Sequence, residues 1–532
     1  MNRRRLIPIV LAGLWMALVT VQAGAEQSAL TPLVASFHVH SQASTGDLSV
    51  DQLAEQAEAL GLDAVVLTDN FVLRYEYGLY PLRNLLKRTF SIRSVLDYGL
   101  DQYLTDVAAA QARHPKVMLI PGVEVVPHYY WTGSLFEGNL TMHNSQKNIL
   151  VFGLAREEDY AALPAIGTPG SYHYDLASAA ALLPVLLFVP AIRLWFRQSA
   201  RISRDGQVTY RVRRKHRLAS FLLAGIASLL LFNAWPVGDP IYSIYDDHLS
   251  YKPYQTFIDA VAARGGVTIW SMPEARDFNQ FDYGPLGKVT VKTDPYPDAL
   301  VMTSGYTGFG GIYQDTRTVI EPGNNWDQLL SQYLAQRQGQ SPPFTVGEIA
   351  FHGINRDTRE LDQVLTIFWV RQRNVAGLVE ALRSGRLYSV GQYDKGAGLR
   401  LDQFRVECEG GARGAESGES LDPNGARDVM VRLRITAVDQ GAHLITLTLI
   451  RSGQVAATLT GITPFEQVIS DPGAPPGVWS FYRVSVQSQG SEILSNPIFV
   501  GPVPAAQFDD VGRPIQPAPE KASVPAVGAH GL

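Results

Sequence analysis

An apolar–basic–apolar stretch in the middle of the chain constrains its fold more than any other feature. The runs Leu176–Ile192 and Leu218–Pro236 contain no charged residue, and each approaches the roughly 20 residues that cross a bilayer as a helix. Between them, Arg193–Arg217 carries nine Lys and Arg residues and one acidic residue, Asp205. Short loops this basic stay on the cytoplasmic side, and buried helices of a soluble core rarely flank them. The pattern therefore predicts a two-helix transmembrane hairpin with a basic cytoplasmic loop at 176–236.

The first 25 residues resemble an export signal, with three arginines at positions 3–5, the apolar run Leu6–Val21 and small residues at 23–25. An uncleaved N-terminal anchor is the alternative. In either case the hairpin returns the chain to the outside, which predicts a bacterial inner-membrane protein whose main domains face the periplasm or exterior. Outside the signal and the loop the chain has 33 basic and 49 acidic residues, a net charge of −16. So acidic an exterior argues against nucleic acid as a partner.

Strand-like and helix-like stretches alternate on both sides of the hairpin. Ser49 and Gln52 form a capping-box pattern that predicts the start of a helix, and Gly61 suits its end. Apolar runs of the buried-strand type are Asp63–Thr68, Val117–Ile120, Ile149–Phe152, Gly266–Trp270 and Ala299–Thr303. Helices are predicted at Tyr103–Arg113, Tyr254–Arg264, Trp326–Gln336 and Ala376–Arg383. This alternation predicts a mainly parallel α/β layer or barrel that the hairpin interrupts.

After about Val390 the pattern changes to short, alternating strands separated by Gly, Pro, Asp and Asn, which predicts a small β-sandwich. The last residues are rich in Pro, Ala and Gly, which predicts disorder. The expected organisation is a signal peptide at 1–25, a barrel in two parts at 30–175 and 240–392, the hairpin at 176–236, a β-sandwich at 396–501 and a disordered tail at 502–532.

The sharpest candidate for a metal site is the pair of histidines in Phe37-His38-Val39-His40. If this segment is a strand, residues two apart point to the same face, so both imidazoles can reach one ion. Two unrelated surface or core histidines are the alternative, because such a pair alone is a weak signal. The single cysteine, Cys408, excludes a disulfide scaffold and any cysteine-built zinc site.

Further segments follow the pair in a characteristic order: Gly61–Asp69, Ile120–Val125, Asn148–Gly153, Gly265–Trp270 and Glu380–Tyr388. This series resembles the PHP (polymerase and histidinol phosphatase) superfamily over about residues 34–390, apart from the hairpin. The resemblance implies a distorted (β/α)7 barrel with metal ligands at the ends of its strands. It also implies up to three metal ions, usually zinc, manganese or iron, and phosphoester hydrolysis, a reaction that suits metal ions.

The resemblance implies His38, His40, Glu124 and His352 as metal ligands, and in a hydrolase Asp69 would orient a ligand or transfer a proton. The chain departs from the family pattern at four ligand positions, which hold Asn70, Asn148, Met272 and Ala350. An amide oxygen is a poor ligand for zinc or manganese, and alanine offers none. We therefore expect at most one divalent ion, or no metal at all. His128 and His143 lie in loops near Glu124 and either compensate for the lost ligands or are ordinary loop histidines.

The sequence leaves two functions open. The first is an exported, membrane-tethered, metal-dependent hydrolase in which Asp69 and Glu124 act on a phosphoester or related small substrate. The second is a catalytically inactive protein of the cell envelope that uses the old pocket to bind a ligand or a partner. The departures favour the second function, whereas the retained His-x-His pair and Glu124 favour the first.

Overall fold

The computed structural model describes residues 30–154, 156–175, 178–205, 208–235, 238–283, 287–336, 341–353, 359–394, 398–424, 429–471 and 477–502. The expected signal peptide, and the expected tail apart from residue 502, lie outside these residues. The strands up to residue 392 are β1 (Thr31–Val39), β2 (Ala64–Leu67), β3 (Asp69–Asn70), β4 (Leu73–Gly78), β5 (Lys87–Ile92), β6 (Met118–Ile120), β7 (Gly122–Val125), β8 (Tyr130–Thr132), β9 (Thr141–His143), β10 (Ile149–Phe152), β11 (Tyr172–His173), β12 (Gln198–Asp205), β13 (Val208–Lys215), β14 (Asp239–Pro240), β15 (Val267–Trp270), β16 (Asp277–Asp282), β17 (Lys288–Thr293), β18 (Gly308–Ile312), β19 (Phe344–Gly347), β20 (Val364–Val370) and β21 (Leu387–Gln392).

The strands that follow are β22 (Leu399–Cys408), β23 (Arg413–Glu416), β24 (Ser420–Leu421), β25 (Met430–Ala437), β26 (Leu444–Arg451), β27 (Gln454–Ile462), β28 (Phe465–Ser470), β29 (Ser480–Ser488), β30 (Ser491–Ser495) and β31 (Ile498–Val500). The α-helices are α1 (Val50–Ala59), α2 (Val95–Tyr98), α3 (Leu100–Arg113), α4 (Glu157–Ala161), α5 (Phe188–Phe196), α6 (Arg217–Asn233), α7 (Lys252–Ala262), α8 (Ala299–Met302), α9 (Asn325–Gln336) and α10 (Val375–Ser384).

The first part of the chain is an α/β fold in which neighbouring strands pair around a curved sheet. β1 pairs in parallel with β2, and β2 with β6. A six-stranded sheet in the order β19-β18-β15-β10-β7-β3 continues from there. Backbone hydrogen bonds then link the segment after β19 back to β1, from the Ile349 amide to the Phe37 carbonyl (3.0 Å) and from the Phe351 amide to the His38 carbonyl (3.0 Å). The ends of these strands therefore converge on one region.

Several predicted elements are confirmed, and two are not. The capping box at Ser49 and Gln52 is present at the start of α1, and helices occupy the four other predicted positions. β10 runs antiparallel to both of its neighbours, so the sheet is not uniformly parallel. The run expected as a strand at Ala299–Thr303 is the short helix α8, because a short apolar run does not distinguish a strand from a helix.

The C-terminal region is rich in strands, as the sequence predicts, but it shares a sheet with the α/β fold. β21 pairs with β30, so an 11-stranded sheet runs from β6 through β1, β20 and β21 into the C-terminal strands. A second sheet, in the order β23-β22-β25-β28, buries alternate residues of β25 in the same hydrophobic cluster. Cys408 lies buried there and forms no disulfide with a described residue.

A buried ion pair also joins the two regions. The guanidinium of Arg483, on β29, donates from Nε and Nη2 to the two carboxylate oxygens of Asp327 on α9, both at 2.7 Å. Arg483 is 0% and Asp327 is 2% exposed. The guanidinium also lies 4.8 Å from the ring centre of Trp326 and donates to the carbonyl of Ile320. The pair therefore has the bidentate geometry and added hydrogen bonds that make a buried charge tolerable.

The expected membrane hairpin folds as two packed apolar helical segments joined by the antiparallel strands β12 and β13. The 3₁₀ segment Ser178–Leu187 continues into α5, and together they form a 19-residue helix that contains an 18-residue stretch with a mean hydropathy of 2.0. Among the described residues this is the one helix long and apolar enough to span a membrane. The second segment, α6, has 17 residues and ends at Asn233, whose side chain accepts hydrogen bonds from the Asn84 and Leu85 amides. A hairpin of two spans is therefore not supported.

Candidate metal centre

The His38–His40 pair lies where β1 ends, at a bulge rather than in a regular strand. Phe37 pairs with Val66 and Val39 with Leu67, so His38 is the extra residue, and its φ of 71° is in the left-handed region. The bulge brings the two imidazole rings to 5.1 Å between centres. The two histidines therefore converge, but not by the strand alternation that the sequence suggests.

Glu124, on β7, completes a cluster of three buried side chains. His38 Nε2 lies 3.2 Å from Glu124 Oε1, and His40 Nε2 lies 3.7 Å from Glu124 Oε2. One potential ligand atom from each residue lies within 4.8 Å of the others. Two ligands of a tetrahedral zinc ion are about 3.3 Å apart, so these separations suit one shared ion. Among the described residues, neither ring nitrogen of His40 has a hydrogen-bond partner, which is unusual for a buried imidazole and fits a metal ligand.

Glu348 orients His38, although it is not among the residues predicted from the sequence. Its fully buried carboxylate lies 2.9 Å from His38 Nδ1 and accepts hydrogen bonds from the Ser271 hydroxyl (2.8 Å) and the Met272 amide (2.6 Å). A proton on Nδ1 leaves the Nε2 lone pair free for an ion, as in carboxylate–histidine–metal arrangements. Gly310 makes room for this carboxylate, because a Cβ there would lie 1.7 Å from Glu348 Oε1. Two sequence signals could have identified Glu348. It is a carboxylate just after a buried strand, and a glycine-rich strand lies beside that strand.

The two histidines differ in their protonation. Burial lowers the pKa of His38, but the carboxylates of Glu124 and Glu348 more than offset this and raise it to about 9. Burial, together with the charges of His352 and His38, holds the pKa of His40 well below its usual value. His40 is therefore neutral near pH 7, whereas His38 carries a proton that a bound metal ion must displace.

Two of the departures from the family pattern, Asn70 and Asn148, hydrogen-bond to Glu124. Asn70 Nδ2 donates to Glu124 Oε2, and Asn148 Nδ2 donates to Oε1 at 2.5 Å. β10 runs antiparallel, so Asn148, just before it, lies at the same end of the sheet as Asn70, at the end of β3. Both amides therefore present their nitrogen atoms to Glu124 and hold its carboxylate in place.

The other predicted site residues lie around this cluster. His352 stacks on His40 with 4.1 Å between ring centres and lies 3.0 Å from the Thr45 hydroxyl, and it is outside the three-residue cluster. Asp69 is fully buried and accepts hydrogen bonds from the amide and hydroxyl of Ser41 and from the hydroxyl of Ser44. Burial, opposed by these hydrogen bonds, raises the Asp69 pKa to about 6. This geometry gives Asp69 a role in anchoring the loop after β1.

The loop histidines do not replace the missing ligands. His128 Nε2 faces the carbonyl of Ser243 at 3.3 Å, and burial lowers its pKa to about 4. His143 lies 2.8 Å from the Thr132 hydroxyl and stacks on Tyr130. Neither belongs to the cluster of His38, His40 and Glu124.

Two residues of the cluster, His38 and Glu124, line a cavity of about 760 Å³, whereas His40 is not among its lining residues. Asn70, Asn148, Met272, Ala350 and His352 line it beside His38 and Glu124. Met272 and Ala350, two of the four departures, both have positive φ, at 41° and 49°. The arrangement can therefore hold one cation beside a cavity large enough for an organic ligand.

The chain is similar to several solved bacterial structures. One is a two-domain protein containing a predicted PHP-like metal-dependent phosphoesterase from Bacteroides vulgatus, with 11% identity, a TM-score of 0.34 and coverage of 85% of this chain and 90% of that one. Another is a putative metal-dependent phosphoesterase from Bifidobacterium adolescentis (16% identity, TM-score 0.24, 60% and 87% coverage). A third is an amidohydrolase from Chromobacterium violaceum (16% identity, TM-score 0.23, 61% and 89% coverage). These TM-scores are too low to define the fold, which the strand pairing defines instead.

No curated protein sequence matches the chain. The model of one protein family, the PHP domain, matches residues 36–163, a segment that contains His38, His40 and Glu124. The match also covers β2, β7 and β10, the strands around the candidate metal centre. The chain therefore carries a PHP domain, and residues 36–163 belong to it.

Proposed function

We propose that this protein is a metal-dependent phosphoesterase that holds one divalent ion, zinc or manganese, between His38, His40 and Glu124. The observation that carries the proposal is the convergence of three buried ligand atoms within 4.8 Å, two of them from residues that line a cavity, His38 and Glu124. The PHP domain over residues 36–163 and the metal-dependent phosphoesterases among the similar structures support the same reaction class. The substrate is a small molecule that enters this cavity.

The chain's own residues prepare the site for this reaction. When bound, a divalent ion makes a water molecule more acidic and neutralises charge on the phosphoryl oxygens. Glu348 fixes the ring of His38, and the amides of Asn70 and Asn148 fix the carboxylate of Glu124. Arg88 and Arg276 also line the cavity and offset the negative charge of a phosphate. In the overall reaction the oxygen of one water bonds to phosphorus and the ester P–O bond breaks. The leaving alkoxide takes up one of the water's protons and departs as the alcohol.

Metal analysis of the purified full-length chain tests the proposal. We expect close to one zinc or manganese per chain, and hydrolysis of p-nitrophenyl phosphate that a chelator abolishes. Glu124→Gln keeps the size of the side chain and should lose both the metal and the activity. His248→Ala is the matched control, because this histidine is 91% exposed and outside the cluster. A folded, metal-free chain without activity after incubation with either metal would overturn the proposal.

A second candidate is a non-catalytic ligand-binding protein of the cell envelope, and one observation favours it. Asn70 and Asn148 both donate to Glu124, so they occupy the carboxylate that would otherwise bridge metal ions. The same metal analysis separates the candidates, because a pocket that binds phosphate without any metal supports the second.

We also propose that the chain is attached to a bacterial inner membrane, with the α/β fold and the C-terminal strands on the periplasmic side. Two features support this proposal. The first is the apolar helix at Ser178–Phe196, because only 6% of its most apolar stretch is buried, and the second is the basic segment that follows it. Labelling of single cysteines by a membrane-impermeant maleimide in intact spheroplasts tests it. In a Cys408→Ser background, Asn279→Cys should be labelled from outside. A protected Asn279→Cys, or recovery of the chain in the soluble fraction, would overturn it.

A further inference from the structure

The cavity is larger and more apolar than a small phosphoester requires. Beyond the candidate metal centre its walls come from the β4–β5 hairpin and from the sheet β16-β17-β9-β8. Leu73, Tyr75, Phe90, Trp131, Met142 and Val291 are among these wall residues. The charged side chains that line the cavity, apart from His38, His352 and Glu124, are Arg88, Arg276 and Asp277. A volume of about 760 Å³ is within the range that encloses a drug-sized ligand, many times larger than a phosphate group.

The mouth of the cavity exposes large apolar side chains. Phe90 is 62%, Phe281 is 50% and Tyr283 is 51% exposed, although all three line the cavity. Soluble proteins rarely leave such side chains grouped in water, and grouped apolar side chains around an opening mark a surface that an apolar molecule covers.

The same wall contacts the exposed apolar helices. The turn of the β4–β5 hairpin holds the end of α6, because the Asn84 side chain donates to the Asn233 carbonyl (2.8 Å) and the Asn84 amide donates to Asn233 Oδ1 (3.0 Å). α6 exposes Leu218 and Phe221 by 74% and 64%. The β4–β5 hairpin therefore links the cavity to the two apolar helical segments.

We propose that the cavity accepts a phosphoester with a long apolar chain, a membrane lipid phosphate, with the chain along the apolar wall and the phosphate beside His38 and Glu124. This inference rests on the proposed function and names its substrate class. The cationic group of Arg276 meets the phosphate, and the wall from Leu73 to Val291 excludes water from the chain. Hydrolysis uses one water, as above, and releases the lipid alcohol and inorganic phosphate.

Binding of a series of alkyl phosphates to the full-length chain in detergent tests the inference without relying on turnover. We expect the Kd, measured by calorimetry, to fall about fourfold for each methylene that the cavity buries, or roughly 250-fold from ethyl to hexyl phosphate. Equal Kd values for ethyl and hexyl phosphate would overturn the inference.

Two phenylalanines on β16 provide a matched pair of variants. Phe281 lines the cavity, whereas Phe278 has a similar exposure, 56%, and does not line it. Phe281→Ser should weaken hexyl phosphate binding about tenfold and leave ethyl phosphate binding unchanged. Phe278→Ser should leave both unchanged. Equal effects of the two variants would show that the alkyl chain binds elsewhere, for example in the detergent, and would overturn the inference.

Two further results separate this inference from the proposed function. Hydrolysis of p-nitrophenyl phosphate without any dependence of alkyl phosphate binding on chain length would overturn the lipid substrate and leave the phosphoesterase intact. Chain-length-dependent binding without metal or hydrolysis would overturn the phosphoesterase and support the apolar ligand class. Phosphate release from dioleoyl phosphatidic acid in vesicles is expected. Its absence, with hexyl phosphate still hydrolysed, would overturn the membrane as the source of the substrate.

Discussion

Replacing Asp327 by Asn should destabilise the contact between the α/β fold and the C-terminal strands, because it leaves the guanidinium of Arg483 buried without its counter-charge. Arg483 is fully buried, and two of its nitrogens each lie 2.7 Å from a carboxylate oxygen of Asp327. Removing one partner of a buried pair typically costs about 3–5 kcal/mol. Two remaining contacts, with the Ile320 carbonyl and the Trp326 ring, reduce this cost but do not neutralise the charge.

The opposite substitution, Arg483→Met, should cost less and should depend on pH. A buried carboxylate that loses its cation can take up a proton, whereas arginine stays charged at any accessible pH. Asp327 also keeps the hydrogen bond from the Gly323 amide at 2.8 Å. We therefore expect the loss in Arg483→Met to shrink as the pH falls toward 5, and the loss in Asp327→Asn to stay constant.

Urea denaturation of the full-length chain, followed by tryptophan fluorescence at pH 5 and pH 8, measures both losses. The control is Asp51→Asn, which removes the exposed pair with Arg113 at 2.6 Å and should not shift the midpoint measurably. The double variant Asp327→Leu/Arg483→Met should recover most of the stability, since a buried pair and an apolar pair of similar volume are often equivalent. A midpoint for Asp327→Asn equal to that of Asp51→Asn would refute the reasoning.

Three further predictions concern the surroundings of the metal centre. Burial lowers the pKa of Lys147 to about 8, so the folded chain binds fewer protons than the unfolded chain between pH 8 and 10.5 and its stability rises with pH there. Lys147→Met should therefore be more stable than the unsubstituted chain at pH 7. The gain is at most about 3 kcal/mol, reduced by the lost cation–π attraction to Tyr251. The difference in urea midpoint between the two proteins should close toward pH 10.5, and a constant difference would contradict this. Glu348→Gln should weaken zinc binding about 10–100-fold in a chelator competition, because it removes the carboxylate that orients His38, and a change below threefold would argue against that role. Asn148→His should raise the metal content measured by mass spectrometry above one ion per chain, since it places an imidazole beside the carboxylate, and an unchanged content would contradict this.

Local signals predicted much of the first part of the fold. The capping box at Ser49 and the apolar runs at β2 and β10 mark real elements, because each depends on neighbouring residues only. β18 was missed, since three glycines in five residues argue against a strand. One of these glycines, Gly310, is needed because a side chain there would collide with Glu348. This contact is between distant residues, so no local sequence pattern predicts it.

The sequence predicted which residues form the candidate site but not how they are arranged in space. The order of motifs pointed to His38, His40 and Glu124, which the structure brings within 4.8 Å of one another. Whether they bind a metal stays a prediction. The bulge at His38 and the burial of Glu348 depend on long-range packing, so neither was visible in the chain order.

The shared 11-stranded sheet has a consequence for how this protein can evolve or be divided. A chain cut between β21 and β22 would leave β21 without the partner that β30 provides over Tyr388–Gln392. Its unpaired backbone would then offer an edge for aggregation. The C-terminal strands are therefore not a module that recombination can add or remove intact. Any exchange with another protein must carry β21 and its partner strand together.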